Sequence, residues 1–187
     1  MVHKIFTPSW LQPESIKFDF FLYGDNLKNP QEHTKNQLLK LLNTTKEEAG
    51  ELLNYDYFEN LPSLTTSISH GQIAGAVISV DKSESPGVGV DVEQSRRVID
   101  NKTSKFFINS NDMLDGKDDL IYTWTKKEAA FKAIAPLSKK IKILNHLWIR
   151  GNEFGEVGLA RPQGEVNITL IEGQIVATAY VLKTTHP

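Results

Sequence analysis

Two short stretches near the middle of this chain carry residue types that could do chemistry together. Gly87-Val88-Gly89-Val90-Asp91-Val92-Glu93 reads as an apolar strand. Side chains two apart on a strand share a face, so Asp91 and Glu93 point the same way. Trp124-Thr125-Lys126-Lys127-Glu128-Ala129-Ala130-Phe131-Lys132 reads as the start of a helix carrying one carboxylate among lysines. Brought together, Asp91, Glu93 and Glu128 supply three hard oxygen ligands for a divalent cation, with ammonium groups beside it. That combination suits a phosphorylated substrate.

Each stretch also has a plainer reading. Asp91 and Glu93 alternate with Val90 and Val92, as on a half-buried strand with a solvated acidic face. Gly87 and Gly89 leave room for a ligand or for another backbone. They do not form a nucleotide-binding glycine loop of either common pattern. Thr125-x-x-Glu128 is a capping box, in which Glu128 bonds back to the Thr125 amide. Lys132 follows Glu128 by four residues, the spacing of a surface ion pair. His70, after Ser67-Ile68-Ser69 and before Gly71, suits either a surface hydrogen bond or a phosphate contact. Arg96, Arg97, Lys102 and Lys105 suit either ordinary solvated charge or a local basic face for an acidic partner protein.

The elements that must position these residues follow from hydrophobic pattern and turn chemistry. Phe18 to Tyr23 is strand-like and closes on a Gly24-Asp25-Asn26 turn. Gln31 to Gly50 predicts one or two helices, with Thr44 or Thr45 as a break or N-cap. Leu64 to His70, Gln72 to Val80 and Val88 to Glu93 are β-rich runs joined by short turns, which favours an antiparallel sheet. A helix is expected from Thr125 to about Ile134, stopped by Pro136. Ile141 to Ile149, Val166 to Ile171 and Ile175 to Leu182 return to β character. Gly71-Gln72-Ile73-Ala74 is echoed by Gly173-Gln174-Ile175-Val176, which is either chance likeness between hairpin strands or the trace of two similar lobes.

Composition narrows the function classes. The chain has 187 residues, enough for one sizeable core or two small lobes. Its net charge of -2 gives no global attraction to nucleic acid or to an anionic membrane. It has no cysteine, which excludes disulfides, thiolate zinc sites and a cysteine nucleophile. Met1 to Pro8 lacks the pattern of a secretory signal, and apolar runs such as Ile73 to Val80 fall short of the roughly 20 residues of a membrane helix. A soluble, cytoplasmic protein with neither nucleic acid nor membrane as partner is expected.

Taken in order, Ser67-Ile68-Ser69-His70, Gly89-Val90-Asp91-Val92-Glu93 and Trp124-Thr125-Lys126-Lys127-Glu128-Ala129 with Lys132 resemble the signature of the 4'-phosphopantetheinyl transferase superfamily. The likeness spans about Leu61 to Ala135; it is specific as a set and weak motif by motif. The trimeric acyl-carrier-protein synthase type is much shorter, so this chain is similar to the compact, monomeric Sfp-like type. The resemblance implies an α+β fold within one domain, 1–187. Its two pseudo-equivalent lobes, about 1–90 and 91–187, would each have a small antiparallel sheet and a packed helix.

It implies Mg²⁺-dependent transfer of phosphopantetheine from coenzyme A to a serine of an apo acyl or peptidyl carrier protein, releasing 3',5'-ADP, in lipid or secondary-metabolite biosynthesis. Asp91, Glu93 and Glu128 would hold Mg²⁺, and Glu128 would also take the serine proton. Lys132 would neutralise the departing oxygen, Lys127 would contact the phosphates, and Ser69 and His70 would reach the 3'-phosphate of coenzyme A. One departure is that Asn60-Leu61-Pro62 stands where the Sfp-like type carries a Gly-Lys-Pro-like segment. Another is that the family's arginine-rich N-terminal helix is poorly represented, with Lys35 and Lys40 as the nearby substitutes. The missing lysine before Pro62 motivates an alternative, a non-catalytic relative that binds coenzyme A or a carrier protein without transfer. A metal-dependent phosphohydrolase using the same carboxylates is the more distant one.

Overall fold

The computed structural model describes residues 4–25, 27–53, 57–58, 60–113 and 120–183. In chain order its elements are β1 Ile16–Leu22, α1 Pro30–Leu42, α2 Lys46–Ala49, β2 Leu52–Leu53, β3 Tyr57–Phe58, β4 Leu64–His70, β5 Ala74–Asp81 and β6 Val88–Gln94. They continue with α3 Asn101–Ser104, α4 Leu120–Ile134, β7 Leu147–Arg150, β8 Glu153–Glu156, β9 Gly164–Ile171 and β10 Gln174–Val181. This is a mixed α+β chain. Its two main sheets are antiparallel, ordered β1-β5-β4 and β6-β10-β9-β8-β7, beside a small β2-β3 ribbon.

A strand, a helix and a hairpin recur in the same order in both halves. In the first, β1 and the hairpin β4-β5 place β5 in the middle, and α1 packs on all three strands. In the second, β6 and the hairpin β9-β10 place β10 in the middle, and α4 packs on all three. The echoed segments Gly71 to Ala74 and Gly173 to Val176 therefore occupy matching positions, each the turn and leading residues of a central strand. The second turn has two residues at positive φ, Glu172 at 49° and Gly173 at 76°. That is the backbone a two-residue hairpin loop needs, and Gly173 adopts it at no steric cost.

The sheets meet edge to edge along β4 and β6. An exposed strand edge leaves backbone N–H groups without partners. Here the Val90 N–H donates to Ser67 Oγ at 3.1 Å and the Val92 N–H to Ser69 Oγ at 3.1 Å. The two serines alternate with Ile68, which turns the other way into the cluster of Leu38, Phe58 and Val77.

Local capping follows the sequence rules in α1 and α2. Asn29 accepts from the Glu32 N–H ahead of Pro30, and Asn43 closes the helix at φ 56°. Thr45 and Glu48 form a complete capping box. Helix α4 departs from expectation. Thr125 is its sixth helical residue rather than its cap, and its hydroxyl donates to the Ile121 carbonyl at 2.7 Å. The apolar run Leu120-Ile121-Tyr122 extends the helix backwards, with Ile121 fully buried. The expected strand from Ile141 is also shorter: it begins at Leu147, after a 3-10 turn over Leu144–His146.

The contact between α4 and β6 sets the site. Ala129, Ala130 and Ala133 are completely buried. A methyl group added at Gly89 would lie 1.9 Å from the Ala129 carbonyl oxygen, and one at Gly87 would lie 2.1 Å from that of Ala133. The two glycines thus admit a helix backbone rather than a ligand. Gly89→Ala is expected to destabilise the protein by about 2–4 kcal/mol, because the obstructing atom is main chain and the helix must move. A urea midpoint within error of wild type would contradict that packing. Among the described residues, no helix is long and apolar enough to cross a membrane.

Candidate active site

Asp91 lies at the seam between the sheets. It is 6% exposed, although its neighbours Val90 and Val92 are core residues. A carboxylate so placed is costly unless charge and hydrogen bonds compensate. Its Oδ1 accepts from Ser69 Oγ at 3.0 Å and from Lys132 Nζ at 3.0 Å. Its Oδ2 is buried with no hydrogen-bond partner. One oxygen is therefore held rigidly by the protein, while the other is desolvated.

Lys132 reaches Asp91 from the far end of α4 and also donates to the Val90 carbonyl at 3.0 Å and the Ile68 carbonyl at 3.3 Å. It ties β4, β6 and α4 together at one point. Glu93, two residues beyond Asp91, accepts from Trp124 Nε1 at 3.1 Å and is ion-paired with Arg97. The Arg97 guanidinium lies over the Trp124 ring, 5.7 Å from its centre, and Phe107 meets the same ring edge-on at 5.3 Å. Burial raises the Glu93 carboxyl above its ordinary value, and the Arg97 hydrogen bond opposes that rise.

Glu128, one turn before Lys132 on α4, feels this group strongly. Its carboxyl is pushed up from 4.5 to about 7, first by burial and then by the negative charge of Asp91; Lys132 works against the rise and Glu93 adds to it. Asp91, Glu93 and Glu128 are thus electrostatically one group, short of positive charge.

A cleft of about 520 Å³ opens beside Asp91 and Glu93; Glu128 and Lys132 are not among the residues lining it. Asp91, Glu93, His70, Arg96, Arg97 and Gln174 are among the residues lining it. That volume suits a small-molecule ligand. Its two arginines and one histidine suit an anionic one.

Three carboxylates are the oxygen donor types that a hard divalent cation takes. A buried, partnerless carboxylate oxygen and two further carboxylates with raised pKa values are what such an ion would satisfy. Among the described residues, however, no three His, Asp or Glu side chains stand ready as a coordination set. Asp91 Oδ1 and Glu93 Oε1 are instead engaged by Lys132, Ser69, Arg97 and Trp124.

The structure places the sequence-predicted residues unevenly. Asp91, Glu93, Glu128 and Lys132 come together, and His70 is exposed on the wall of the same cleft. Ser69 also lines the cleft, but its hydroxyl is spent on Asp91 and on the Val92 amide. Lys127, expected at the phosphates, is a correction. Its ammonium group is fully buried on another side of α4, 2.7 Å from Asp112 Oδ2 and 2.7 Å from the Leu147 carbonyl. Consecutive helix residues point about 100° apart, so Lys127 cannot share the direction of Glu128. Lys35 and Lys40 on α1 are not among the cleft-lining residues, and Leu61 and Pro62 line a second pocket, on which Lys132 also opens. Arg97 and Ser69 as direct partners of the carboxylates were not foreseen. The only signals for them were the i,i+4 spacing of Glu93 and Arg97, and the two-residue spacing that puts Ser67 and Ser69 on one face.

No protein-family model matches the chain, and a search of curated proteins returns no match.

Proposed function

We propose that the chain is a Mg²⁺-dependent 4'-phosphopantetheinyl transferase of the compact two-lobed type. Its reaction would carry phosphopantetheine from coenzyme A to a serine of an apo carrier protein. The observation that carries this reading is the meeting of Asp91, Glu93, Glu128 and Lys132, from one strand and one helix, where Asp91 and Glu93 line a cleft shared with His70 and two arginines. The strand–helix–hairpin order repeated in both halves supports the two-lobed part of the reading.

In this reading the carrier serine oxygen bonds to the phosphorus next to the pantetheine arm, the bond from that phosphorus to the bridging oxygen breaks, and 3',5'-ADP leaves. Asp91, Glu93 and Glu128 are the side chains that would hold the cation, which when bound supplies positive charge against the pyrophosphate. Glu128 would also accept the serine proton. Lys132, fixed by three acceptors, places positive charge beside Asp91 without needing to reorganise. His70, Arg96 and Arg97 give the cleft its preference for phosphate. Ser69 holds Asp91 and is a positioning residue in this account.

The second reading is a relative that binds coenzyme A or a carrier without transfer, and the sequestration of Lys127 favours it. Chromatographic detection of 3',5'-ADP separates the two. Transfer predicts its release from coenzyme A only when both Mg²⁺ and an apo carrier are present. Coenzyme A binding with no 3',5'-ADP on any carrier would replace the transferase by the binding protein.

A further inference from the structure

We propose that Arg97 is the site's resident counter-cation, occupying Glu93 until a divalent cation displaces it, and so sets the cation concentration at which the site fills. The inference rests on the reading of Asp91, Glu93 and Glu128 as the metal-holding group.

Two cations sit on the carboxylates, and they are held very differently. Lys132 is anchored by two backbone carbonyls besides Asp91, and its side chain is 22% exposed. It cannot leave Asp91 without abandoning the seam between the sheets. Arg97 touches Glu93 and lies over Trp124, and its side chain is 48% exposed. It can swing into solvent more easily than Lys132, because no backbone carbonyl holds it and half of its side chain already faces water.

Glu93 Oε1 already accepts from Trp124, so Arg97 is a second donor on one oxygen. An incoming cation can take that place while Trp124 keeps the carboxylate in position. The partnerless Asp91 Oδ2 gives such a cation a second oxygen that nothing else in the protein satisfies. A protein that placed a fixed lysine on both carboxylates would hold the site closed, whereas one with no arginine would fill at lower cation concentration. Arg97 sets the point between.

The experiment is isothermal titration of Mg²⁺ into the full chain at low ionic strength, with wild type, Arg97→Gln, Arg97→Lys and Arg96→Gln. Arg96 lines the same cleft and carries the same charge, so it reports long-range electrostatics alone. Arg97→Gln should bind Mg²⁺ about two- to fivefold more tightly, the range an exposed ion pair can hold back. Arg97→Lys should stay near wild type, and Arg96→Gln should shift less than Arg97→Gln. Trp124 provides an optical check, since removing the guanidinium from its ring should change its emission on Mg²⁺ addition. That change should be absent in Trp124→Phe.

Equal affinities for wild type and Arg97→Gln would overturn the proposal while leaving the metal site standing. So would an Arg96→Gln shift as large as that of Arg97→Gln. No Mg²⁺ binding by wild type would overturn the metal reading itself, and the proposal with it.

Discussion

Glu128→Gln should leave the chain folded, reduce transfer at least ~10³-fold, and make the cation-free protein more stable above pH 7. The loss of transfer follows from removing a proton acceptor that is also one of three carboxylates for the cation. The gain in stability follows from the cost of a half-buried carboxylate facing Asp91 and Glu93. In the unfolded chain Glu128 ionises near its ordinary 4.5, and in the folded chain it ionises at about 7.

Below 4.5 both states are protonated and the group makes no difference to stability. Between 4.5 and 7 the folded state holds a proton that the unfolded state has lost, so stability falls as pH rises. Above 7 the penalty is complete. Allowing for solvent screening it amounts to about 1–3 kcal/mol. Glutamine has no such term. Thermal unfolding at pH 8 should therefore place Glu128→Gln several degrees above wild type, and at pH 4.5 the two should coincide. Saturating Mg²⁺ should reverse the order at pH 8, because wild type gains from binding the ion. A variant less stable than wild type at pH 8 without the ion would contradict the strained carboxylate cluster.

Asp112→Ala should be the most damaging single change outside the cleft, at about 3–5 kcal/mol. Asp112 and Lys127 are 1% and 0% exposed. Asp112 Oδ2 accepts from Lys127 and from the Asn109 N–H, and its Oδ1 accepts from the Ile149 N–H at 2.8 Å. The carboxylate therefore joins the loop before α4 to the helix and to β7. Removing it strands a buried ammonium with a carbonyl as its remaining partner, and leaves two amides unsatisfied.

Burial already pulls the Lys127 pKa down. Without Asp112 it falls further, so the loss should grow as the pH is lowered and the ammonium is forced to carry its charge. Lys127→Met combined with Asp112→Leu should recover part of the stability, because no buried charge is then left unpaired, while the Asn109 and Ile149 amides stay unsatisfied. Urea unfolding reads all three variants. An Asp112→Ala loss under about 1 kcal/mol would mean that the pair is not the clamp described here.

How far the sequence disclosed this arrangement varies with the kind of signal. The β-branched alternation of Val88 to Glu93 located β6 to within a residue, because a strand needs only local pattern. The same alternation put Asp91 and Glu93 on one face. It could not say that Ser67 and Ser69 face the edge of β6, since that contact joins two sheets 23 residues apart in sequence. Gly87 and Gly89 announced a close approach but not its other party, which turned out to be the backbone of α4.

Thr125-x-x-Glu128 has the spacing of a cap. The same threonine is equally at home inside a helix when its hydroxyl bonds four residues back, as it does to Ile121. Lys127 misled for a related reason: a lysine beside a catalytic-looking glutamate reads as a partner, yet one residue along a helix is a turn of 100°. Its true partner, Asp112, lies in a polar stretch without periodicity, where nothing marks a buried charge.

Intact mass spectrometry of an apo carrier protein incubated with this chain, coenzyme A and Mg²⁺ tests the central claim most directly. The account predicts that the carrier gains the mass of one phosphopantetheine group, that chelating the metal abolishes the gain, and that Glu128→Gln gives none. A panel of apo carriers from fatty-acid, polyketide and peptide assembly that all stay unmodified, with the protein folded and Mg²⁺ present, would contradict it.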